Sequence, residues 1–191
     1  TLIHETIEGI LTDKSPETRP KIKPAVDAFV KFMESKNIQV DKDFVEKRLV
    51  NFDERYAGTL DAVALIDGKF GVLDIKTSQA IYRDYNLQTS AYVAALQKDL
   101  KNLQTRWILR IDQNRTCLKC GATMREKGGR VKIKNNGYKG KTCEHQWSEV
   151  RGLIELKEFP YWQDDFKAFL GAKKLWEWEN EYWLKKAGYF I

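Results

Sequence analysis

Two short apolar segments joined by a tight-turn signal constrain this chain more than any other feature. The first segment, 59–66, is rich in residues that favour β-strands, and Asp67-Gly68 readily closes a two-residue hairpin. A second predicted strand follows at 70–75. Pairing these strands brings Asp61, near the start of the first, close to Asp74, near the end of the second. The sequence therefore predicts a β-hairpin in which two carboxylates share one site.

The surroundings of this carboxylate pair favour a metal site. Carboxylate oxygens are hard ligands that suit Mg²⁺ or Mn²⁺, and Asp74 lies in the apolar run 72–75, where a carboxylate is normally paired or metal-bound. Lys76 follows two residues later, so its side chain shares a strand face with that of Asp74. Its ammonium group could hold a phosphate oxygen or orient an attacking water. The alternative is a solvated surface hairpin, since such hairpins often carry Asp and Lys.

These residues resemble the PD-(D/E)XK nuclease superfamily, and specifically its RecB-like branch of phage and bacterial exonucleases. That branch has Gly-Thr-x-Asp before a hairpin and Asp/Glu-x-Lys-Thr after it. The chain has Gly58-Thr59-Leu60-Asp61 and Asp74-Ile75-Lys76-Thr77, with Leu60 where the superfamily name has Pro. The resemblance implies one domain, 1–191, with an α/β restriction-endonuclease-like core: a central mixed β-sheet flanked by helices.

The same resemblance implies a set of site residues. Asp61, Asp74 and the Ile75 carbonyl would bind one or two Mg²⁺ or Mn²⁺ ions. Lys76 would position the water or stabilise the charge that develops on the phosphate oxygens.

A histidine near the start of the chain could complete the metal site. On a predicted helix at 1–12, His4 and Glu8 lie one turn apart on one face. The RecB-like branch carries Gly-x-x-x-His-x-x-x-Glu on an early helix, and its His binds the metal. The chain begins at Thr1 without Met, and we expect a preceding residue to complete this motif. Imidazole suits Mn²⁺ better than Mg²⁺, and a purely structural role for His4 is the alternative.

Three more residues match positions of the family pattern. The branch often has a Glu at the distance of Glu46, which we place in a strand at 44–52. Glu46 could help the metal site, or it could face water or pair with Arg48. Gln88 and Tyr92 are four apart on a predicted helix at 84–100, directly after the Lys-Thr strand, where the branch has Gln-x-x-x-Tyr. The resemblance places the Gln beside metal and DNA and gives the Tyr a supporting role.

The segment 113–148 has a different character and is predicted to be a zinc-ribbon-like insertion between strands at 105–112 and 149–156. It contains Cys117 and Cys120, and then Cys143 and His145. Three thiolates and an imidazole are ligands of a tetrahedral structural Zn²⁺, which would also fold a segment too polar to fold alone. The alternatives are an iron–sulfur cluster, for which some RecB-like relatives use four cysteines where this chain has three, a redox Cys-x-x-Cys pair, and unpaired thiols.

The chain is basic, with a net charge of +6 and a pI near 9.1, which favours a polyanionic partner. Much of the positive charge lies inside the insertion. We predict that these cations contact DNA phosphates, and that the zinc site is structural and separate from catalysis. The cations are Arg125, Lys127, Arg130, Lys132, Lys134, Lys139 and Lys141.

The remaining features bound the compartment and the C-terminal region. Three cysteines, an odd number, favour a reducing compartment. No apolar run approaches the roughly 18–20 residues of a membrane helix and the N-terminus lacks a signal-peptide pattern, so we expect no membrane partner. We expect the cytoplasm of a bacterium or of a phage-infected host. The aromatic residues of a predicted helix at 161–186 could stack on single-stranded bases, but packing is favoured.

The resemblance implies a metal-dependent DNA nuclease, with exonuclease action favoured, in recombination, repair or phage DNA processing. DNA, single- or double-stranded, is the expected partner, with other recombination or repair proteins as further partners. The alternative is a non-catalytic nucleic-acid-binding module, or an adaptor, that uses the zinc insertion and the basic surface.

Overall fold

A mixed β-sheet built on the predicted hairpin forms the centre of the fold. The structure is a computed structural model that describes residues 1–14, 16–135 and 142–189. The strands of this part of the chain are β1 (Gln39–Asp41), β2 (Lys47–Asn51), β3 (Tyr56–Leu60), β4 (Ala62–Ile66), β5 (Lys69–Lys76), β6 (Thr105–Thr116), β7 (Thr123–Lys127), β8 (Arg130–Lys134) and β9 (Arg151–Glu158). The α-helices are α1 (Leu2–Leu11), α2 (Lys23–Ser35), α3 (Tyr85–Leu96), α4 (Gln163–Glu179) and α5 (Glu181–Lys186).

The hairpin forms as the sequence predicts. Strands β4 and β5 pair antiparallel, and Asp67 and Gly68 between them have φ angles of 50° and 77°. Both angles lie in the left-handed region, which Asp and Gly tolerate better than most residues, so this dipeptide suits the turn. Strand β5 then pairs parallel with β6, and the intervening chain crosses over through α3.

The sheet order is β1-β4-β5-β6-β7-β8, and β9 pairs with β6. The β6–β9 pairing is antiparallel and runs from Trp107 opposite Glu158 to Asn114 opposite Arg151. The cysteine cluster and the β7–β8 hairpin lie between these two paired strands. The predicted strand bounds are wrong by two to four residues, because β6 runs to Thr116, into the predicted insertion, and β9 starts at Arg151. Strands β2 and β3 form a separate two-stranded sheet.

Helices cover both faces of the sheet, which explains why β4 and β5 are apolar almost throughout. On one face, Ile7 of α1 and Phe29 of α2 pack with Leu73 and other alternate residues of the hairpin. On the other face, Leu96 of α3 packs with Val72. The predicted fold class, α/β with a mixed central sheet flanked by helices, is therefore confirmed.

The predicted strand at 59–66 is wrong in one respect, because the chain bends at Asp61. Strand β3 ends at residue 60 and belongs to the small sheet, whereas β4 starts at residue 62 in the large one. At this bend the Asp61 carbonyl accepts a hydrogen bond from the backbone N–H of Glu46 at 3.0 Å. The strand predicted at 44–52 is shorter in the structure, where β2 covers only 47–51. Glu46 therefore lies in the bend that precedes β2.

The predicted helix at 161–186 is two helices that meet at Asn180. The Asn180 side chain donates to the Trp176 carbonyl at 2.8 Å, a local hydrogen bond that competes with helix continuation. Packing is confirmed for Phe166 and Phe169, whose rings contact Tyr56. It does not hold for the later aromatics, which are more than half exposed: Trp176, Trp178, Tyr182 and Trp183. Within the described residues, no helix has the length and apolar character needed to cross a membrane.

Candidate metal sites

The hairpin brings the two predicted carboxylates together. Asp61 directly precedes β4, whose first residue pairs with Leu73, so Asp61 lies beside Asp74 across the hairpin. The backbone N–H of Ile75 donates to Asp61 Oδ2 at 2.6 Å. Asp61 keeps 13% of its side-chain surface exposed, whereas the Asp74 side chain is fully buried. The site therefore has one carboxylate open to solvent and one enclosed behind it.

His4 and Glu46 join Asp61 at this place. His4 Nε2 lies 3.3 Å from Asp61 Oδ2, and His4 Nδ1 lies 4.0 Å from Glu46 Oε1. The three residues each offer a ligand atom, and these atoms lie within 4.8 Å of one another, close enough to hold one metal ion. Asp74 lies outside this group of three. Of the two alternatives for Glu46, the structure favours the one beside the carboxylates over pairing with Arg48.

Electrostatics at the group reflects its crowded negative charge. The hydrogen bond with Asp61 raises the pKa of His4, partly opposed by burial, and the charge of Glu46 raises it further. Burial raises the pKa of Glu46, and the charges of Asp61 and Glu8 add to this. A cation placed among these groups would relieve both effects.

The backbone of Glu46 is held in an unusual conformation. Its φ angle is 50°, in the left-handed region where a side chain other than Asn or Asp is uncommon. Such a conformation costs free energy and persists where surrounding contacts enforce it, and it is enriched at functional sites. Here the Glu46 N–H is bonded to the Asp61 carbonyl, so the bend that interrupts the strand also delivers the Glu46 carboxylate to His4.

Asp74 and Lys76 form the buried side of the site. Lys76 Nζ lies 2.7 Å from Asp74 Oδ2, yet neither Asp74 oxygen accepts a well-directed hydrogen bond from the described residues. Burial, and next the charge of Asp61, raises the pKa of Asp74 to about 6, against the opposing effect of Lys76. Lys76 Nζ also lies 5.1 Å from the centre of the Tyr85 ring, which borders it. The ion pair with Lys76 therefore offsets only part of the cost of burying this carboxylate.

Gln88 and Tyr92 support the site from α3, on the face that the sequence predicts. Gln88 Nε2 donates to the Tyr92 hydroxyl at 2.6 Å. Burial raises the pKa of Tyr92 to about 12, the Gln88 hydrogen bond opposes this, and the charges of Asp74, Asp61 and Glu46 add to it. The Tyr92 ring therefore stands within the field of the carboxylates.

The Tyr92 ring also explains the glycine of the first motif. A Cβ on Gly58 would lie 2.8 Å from Tyr92 Cε1, closer than carbon atoms normally approach. Gly58 thus allows the ring to approach the backbone of β3 closely. The family pattern predicts the glycine, but this packing reason follows only from the structure.

The four predicted zinc ligands converge. Cys117 Sγ lies 4.0 Å from Cys143 Sγ, and Cys120 Sγ lies 3.4 Å from His145 Nδ1. All four ligand atoms lie within 4.8 Å of one another, so the cluster could hold a metal ion and is compatible with structural zinc. An isolated antiparallel β-bridge between Cys117 and Trp147 holds the two halves of the cluster together. The four ligand atoms therefore converge although the Cys-x-His spacing is short.

Thiol electrostatics in this cluster also suits a cation. Burial raises the pKa of Cys117, but a hydrogen bond from the backbone of Cys120 and one from the His145 side chain lower it to about 5. Burial and the neighbouring thiols raise the pKa of Cys143 to about 11. Without a cation, the Cys117 thiolate therefore disfavours ionisation of the neighbouring Cys143 thiol. The alternative of unpaired surface thiols does not describe this convergent arrangement, in which Cys117 is buried and Cys120 and Cys143 are half-buried.

The predicted DNA-binding cations divide into two groups. Arg125 and Lys127 both donate to the Thr77 carbonyl, at 2.8 Å and 2.6 Å, and Arg125 Nε donates to Asp112 Oδ1 at 2.7 Å. Arg125 is thus committed to contacts within the protein, which the sequence does not reveal. The other described cations, Arg130, Lys132 and Lys134, are exposed on β8, whereas Lys139 and Lys141 lie outside the described residues.

No protein-family model matches the chain, and no curated protein matches it either. The resemblance to PD-(D/E)XK nucleases therefore remains a prediction.

Proposed function

We propose that this chain is a metal-dependent DNA nuclease of the RecB-like branch, with a restriction-endonuclease-like fold, that hydrolyses phosphodiester bonds and favours exonuclease action. The observation that carries the proposal is the meeting of His4, Glu46 and Asp61 beside the buried Asp74–Lys76 pair. These residues come from three separate parts of the chain, so local sequence alone does not force them together. DNA in a bacterial or phage-infected cytoplasm would be the substrate.

The donor set fits Mg²⁺ or Mn²⁺. Carboxylate oxygens predominate, as both ions prefer, and the His4 nitrogen favours Mn²⁺. Asp74 also supports a cation, because burial and the charge of Asp61 raise its pKa to about 6 in spite of its ion pair with Lys76. His4, Asp61, Asp74 and the Ile75 carbonyl would hold the ion, with Glu46 beside them. When bound, the ion would lower the pKa of a coordinated water and neutralise charge on a phosphate.

The protein's own groups would bind and orient the phosphate. Lys76 keeps 18% of its side-chain surface exposed, so its ammonium could reach a phosphate oxygen while it stays paired with Asp74. Its charge would stabilise the negative charge that grows on that oxygen as the bond breaks. Gln88 and Tyr92 would fix the wall of the site through their mutual hydrogen bond. Limited exposure of these groups strengthens each electrostatic contact relative to water.

The proposal is tested with purified protein and linear DNA. Single- and double-stranded linear substrates are incubated with Mg²⁺, with Mn²⁺ or with EDTA, and a covalently closed circle is the control for exonuclease action. We expect degradation of linear DNA with either metal, none with EDTA, and none by Asp74→Ala. Equal degradation by wild type and Asp74→Ala would refute the proposed site.

We further propose that the Cys117, Cys120, Cys143 and His145 cluster holds one structural Zn²⁺. Three sulfurs and one ring nitrogen converge within 4.8 Å, and this is a common donor set of tetrahedral structural zinc sites, whereas most iron–sulfur clusters are held by four cysteines.

A second candidate function is a non-catalytic nucleic-acid-binding module. The observation in its favour is the exposed aromatic surface of α4 and α5, where Lys186 Nζ lies 4.7 Å from the Tyr182 ring centre and 5.6 Å from that of Trp183. Exposed aromatics beside cations can stack bases of a single strand. Tight binding of single-stranded DNA without cleavage in either metal would favour this function over the nuclease.

A further inference from the structure

The end of β5 is held by side chains of the insertion. Thr77 directly follows Lys76, and its carbonyl accepts hydrogen bonds from two cations, Arg125 Nη2 at 2.8 Å and Lys127 Nζ at 2.6 Å. Charged donors make stronger hydrogen bonds than neutral ones. Two such donors on one loop carbonyl, immediately after the lysine of the proposed site, make this an unusually firm anchor.

This anchor acts where the sheet gives β5 least support. Strand β4 pairs with β5 only from Lys69 to Leu73, so residues 74–76 pair with β6 alone. Lys76 is the last residue of β5, and terminal residues paired on one side open more readily than the centre of a sheet. The two cations therefore compensate for the missing neighbour at the residues that carry Asp74 and Lys76.

The anchor is connected to the cysteine cluster through the β7–β8 hairpin. Arg125 is fixed in turn by Asp112, a buried carboxylate on β6, at 2.7 Å. At the base of the hairpin, Thr123 pairs with Thr116, and the Cys117 N–H donates to the Ala122 carbonyl at 2.8 Å. The turn that carries two of the four metal-ligand candidates is thus continuous with the strand that carries Arg125 and Lys127.

We propose that Arg125 and Lys127 are positioning residues that hold Lys76 in place, so that cleavage depends on metal occupancy of the cysteine cluster. The proposal rests on the nuclease function proposed above. It departs from the sequence prediction that the zinc is separate from catalysis, and it assigns these two cations to alignment of the site where the sequence predicts phosphate contacts.

The first test separates alignment from DNA affinity. Arg125→Gln and Lys127→Met are compared with Lys31→Gln, a control because Lys31 is an exposed lysine on α2 that has no part in the proposed site or in the predicted DNA contacts. Rates are measured in single turnover at saturating DNA, and DNA dissociation constants are measured separately. We expect the first two variants to be slower by about tenfold, since small misplacements of reacting groups carry large rate losses. The control should bind DNA with the wild-type dissociation constant and cleave it at the wild-type rate.

Arg125→Lys serves as the conservative variant. Lysine keeps the charge but lacks the planar fork that reaches Asp112 and Thr77 together, so only part of the rate should return. Wild-type rates in Arg125→Gln and Lys127→Met at saturating DNA would overturn the proposal and make these residues simple phosphate contacts.

A second measurement does not depend on nuclease activity. Hydrogen–deuterium exchange at residues 76–79 is followed without DNA, in wild type, in Lys127→Met and in wild type stripped of metal by a thiol-directed chelator. Lys127 is exposed, so its replacement is not expected to prevent folding. We expect exchange in this segment to be about tenfold faster in both perturbed samples. If exchange is unchanged in both perturbed samples, the positioning role is overturned, even if the wild type cleaves DNA. If exchange is faster in the perturbed samples but the wild type does not cleave DNA, only the nuclease function is refuted.

Discussion

Replacement of Asp74 by Asn should stabilise the metal-free protein while it removes activity. Burial, and next the charge of Asp61, raises the pKa of Asp74 from 3.8 to about 6. The unfolded chain therefore ionises this carboxyl more readily than the folded protein does. The step from 3.8 to about 6 corresponds to about 3 kcal/mol of folding free energy, lost when the pH lies above both values. Asn has the shape of the neutral acid and avoids this loss.

The sign of the effect fixes its pH dependence. Because the pKa is raised in the folded state, the folded protein holds the Asp74 proton more tightly than the unfolded chain does. The resulting contribution to the free energy of unfolding is fully present below about pH 4 and is lost as the pH rises through about 6. The advantage of Asn should therefore be largest at pH 8 and shrink towards pH 5. The figure of about 3 kcal/mol already includes the opposing effect of Lys76, so we expect a gain of about 2–3 kcal/mol at pH 8, or a rise in Tm of about 4–12 °C.

The assay is thermal unfolding at pH 8 and pH 5 in the absence of divalent metal, followed by DNA cleavage with Mn²⁺. Asp99→Asn, which removes an exposed carboxylate, is the control and should change Tm by little. A Tm for Asp74→Asn at or below that of wild type at pH 8 would refute the reasoning. So would a gain of the same size at both pH values.

Three further predictions address the other parts of the site. His4→Ala should weaken Mn²⁺ binding more than Mg²⁺ binding in calorimetric titrations, because it removes the nitrogen ligand from a set of oxygens. Gly58→Ala should lower the free energy of unfolding in urea by about 1–3 kcal/mol, because the added Cβ would lie 2.8 Å from Tyr92 Cε1 and must displace that ring. Cys120→Ser should reduce zinc from about one per chain, disorder the insertion and weaken DNA binding in a salt-sensitive way, as elemental analysis and salt titrations would show.

Each of these predictions has an outcome that contradicts it. An unchanged Mn²⁺ affinity would return His4 to a purely structural role. Wild-type stability of Gly58→Ala would mean that the Tyr92 ring can move away at no cost. Iron, or no metal at all, in protein purified without added metal would exclude the zinc assignment, whatever Cys120→Ser does.

The parts of the structure that the sequence predicts best are those fixed by short-range chemistry. Asp67 and Gly68 tolerate left-handed backbone angles, so the hairpin and its register follow from the turn and from the apolar runs that flank it. That register alone brings Asp61 beside Asp74. Gln88 and Tyr92 share a helix face by spacing alone, and the structure joins them by a hydrogen bond.

The features that the sequence misses depend on partners far along the chain. The bend at Asp61 comes with a hydrogen bond from Glu46, whose left-handed backbone no local pattern predicts. Arg125 finds Asp112 and Thr77, 13 and 48 residues away, and a composition that is simply basic gives no sign of this. The sequence likewise gives no sign that Trp183 and its neighbours are exposed, because aromatic residues at helical spacing more often pack inside a protein.

The central claim is that Lys76 acts on a phosphate beside a metal held by the carboxylates. Single-turnover cleavage of end-labelled linear DNA with Mn²⁺ tests it most directly, in wild type, Lys76→Ala and Lys69→Ala. Lys69 is the matched control, because it lies at the opposite end of the same strand and pairs with Glu158 at 2.8 Å. We predict that Lys76→Ala lowers the rate by about a hundredfold or more while Lys69→Ala stays within about twofold of wild type. Equal rates for wild type and Lys76→Ala would contradict the assignment of this site.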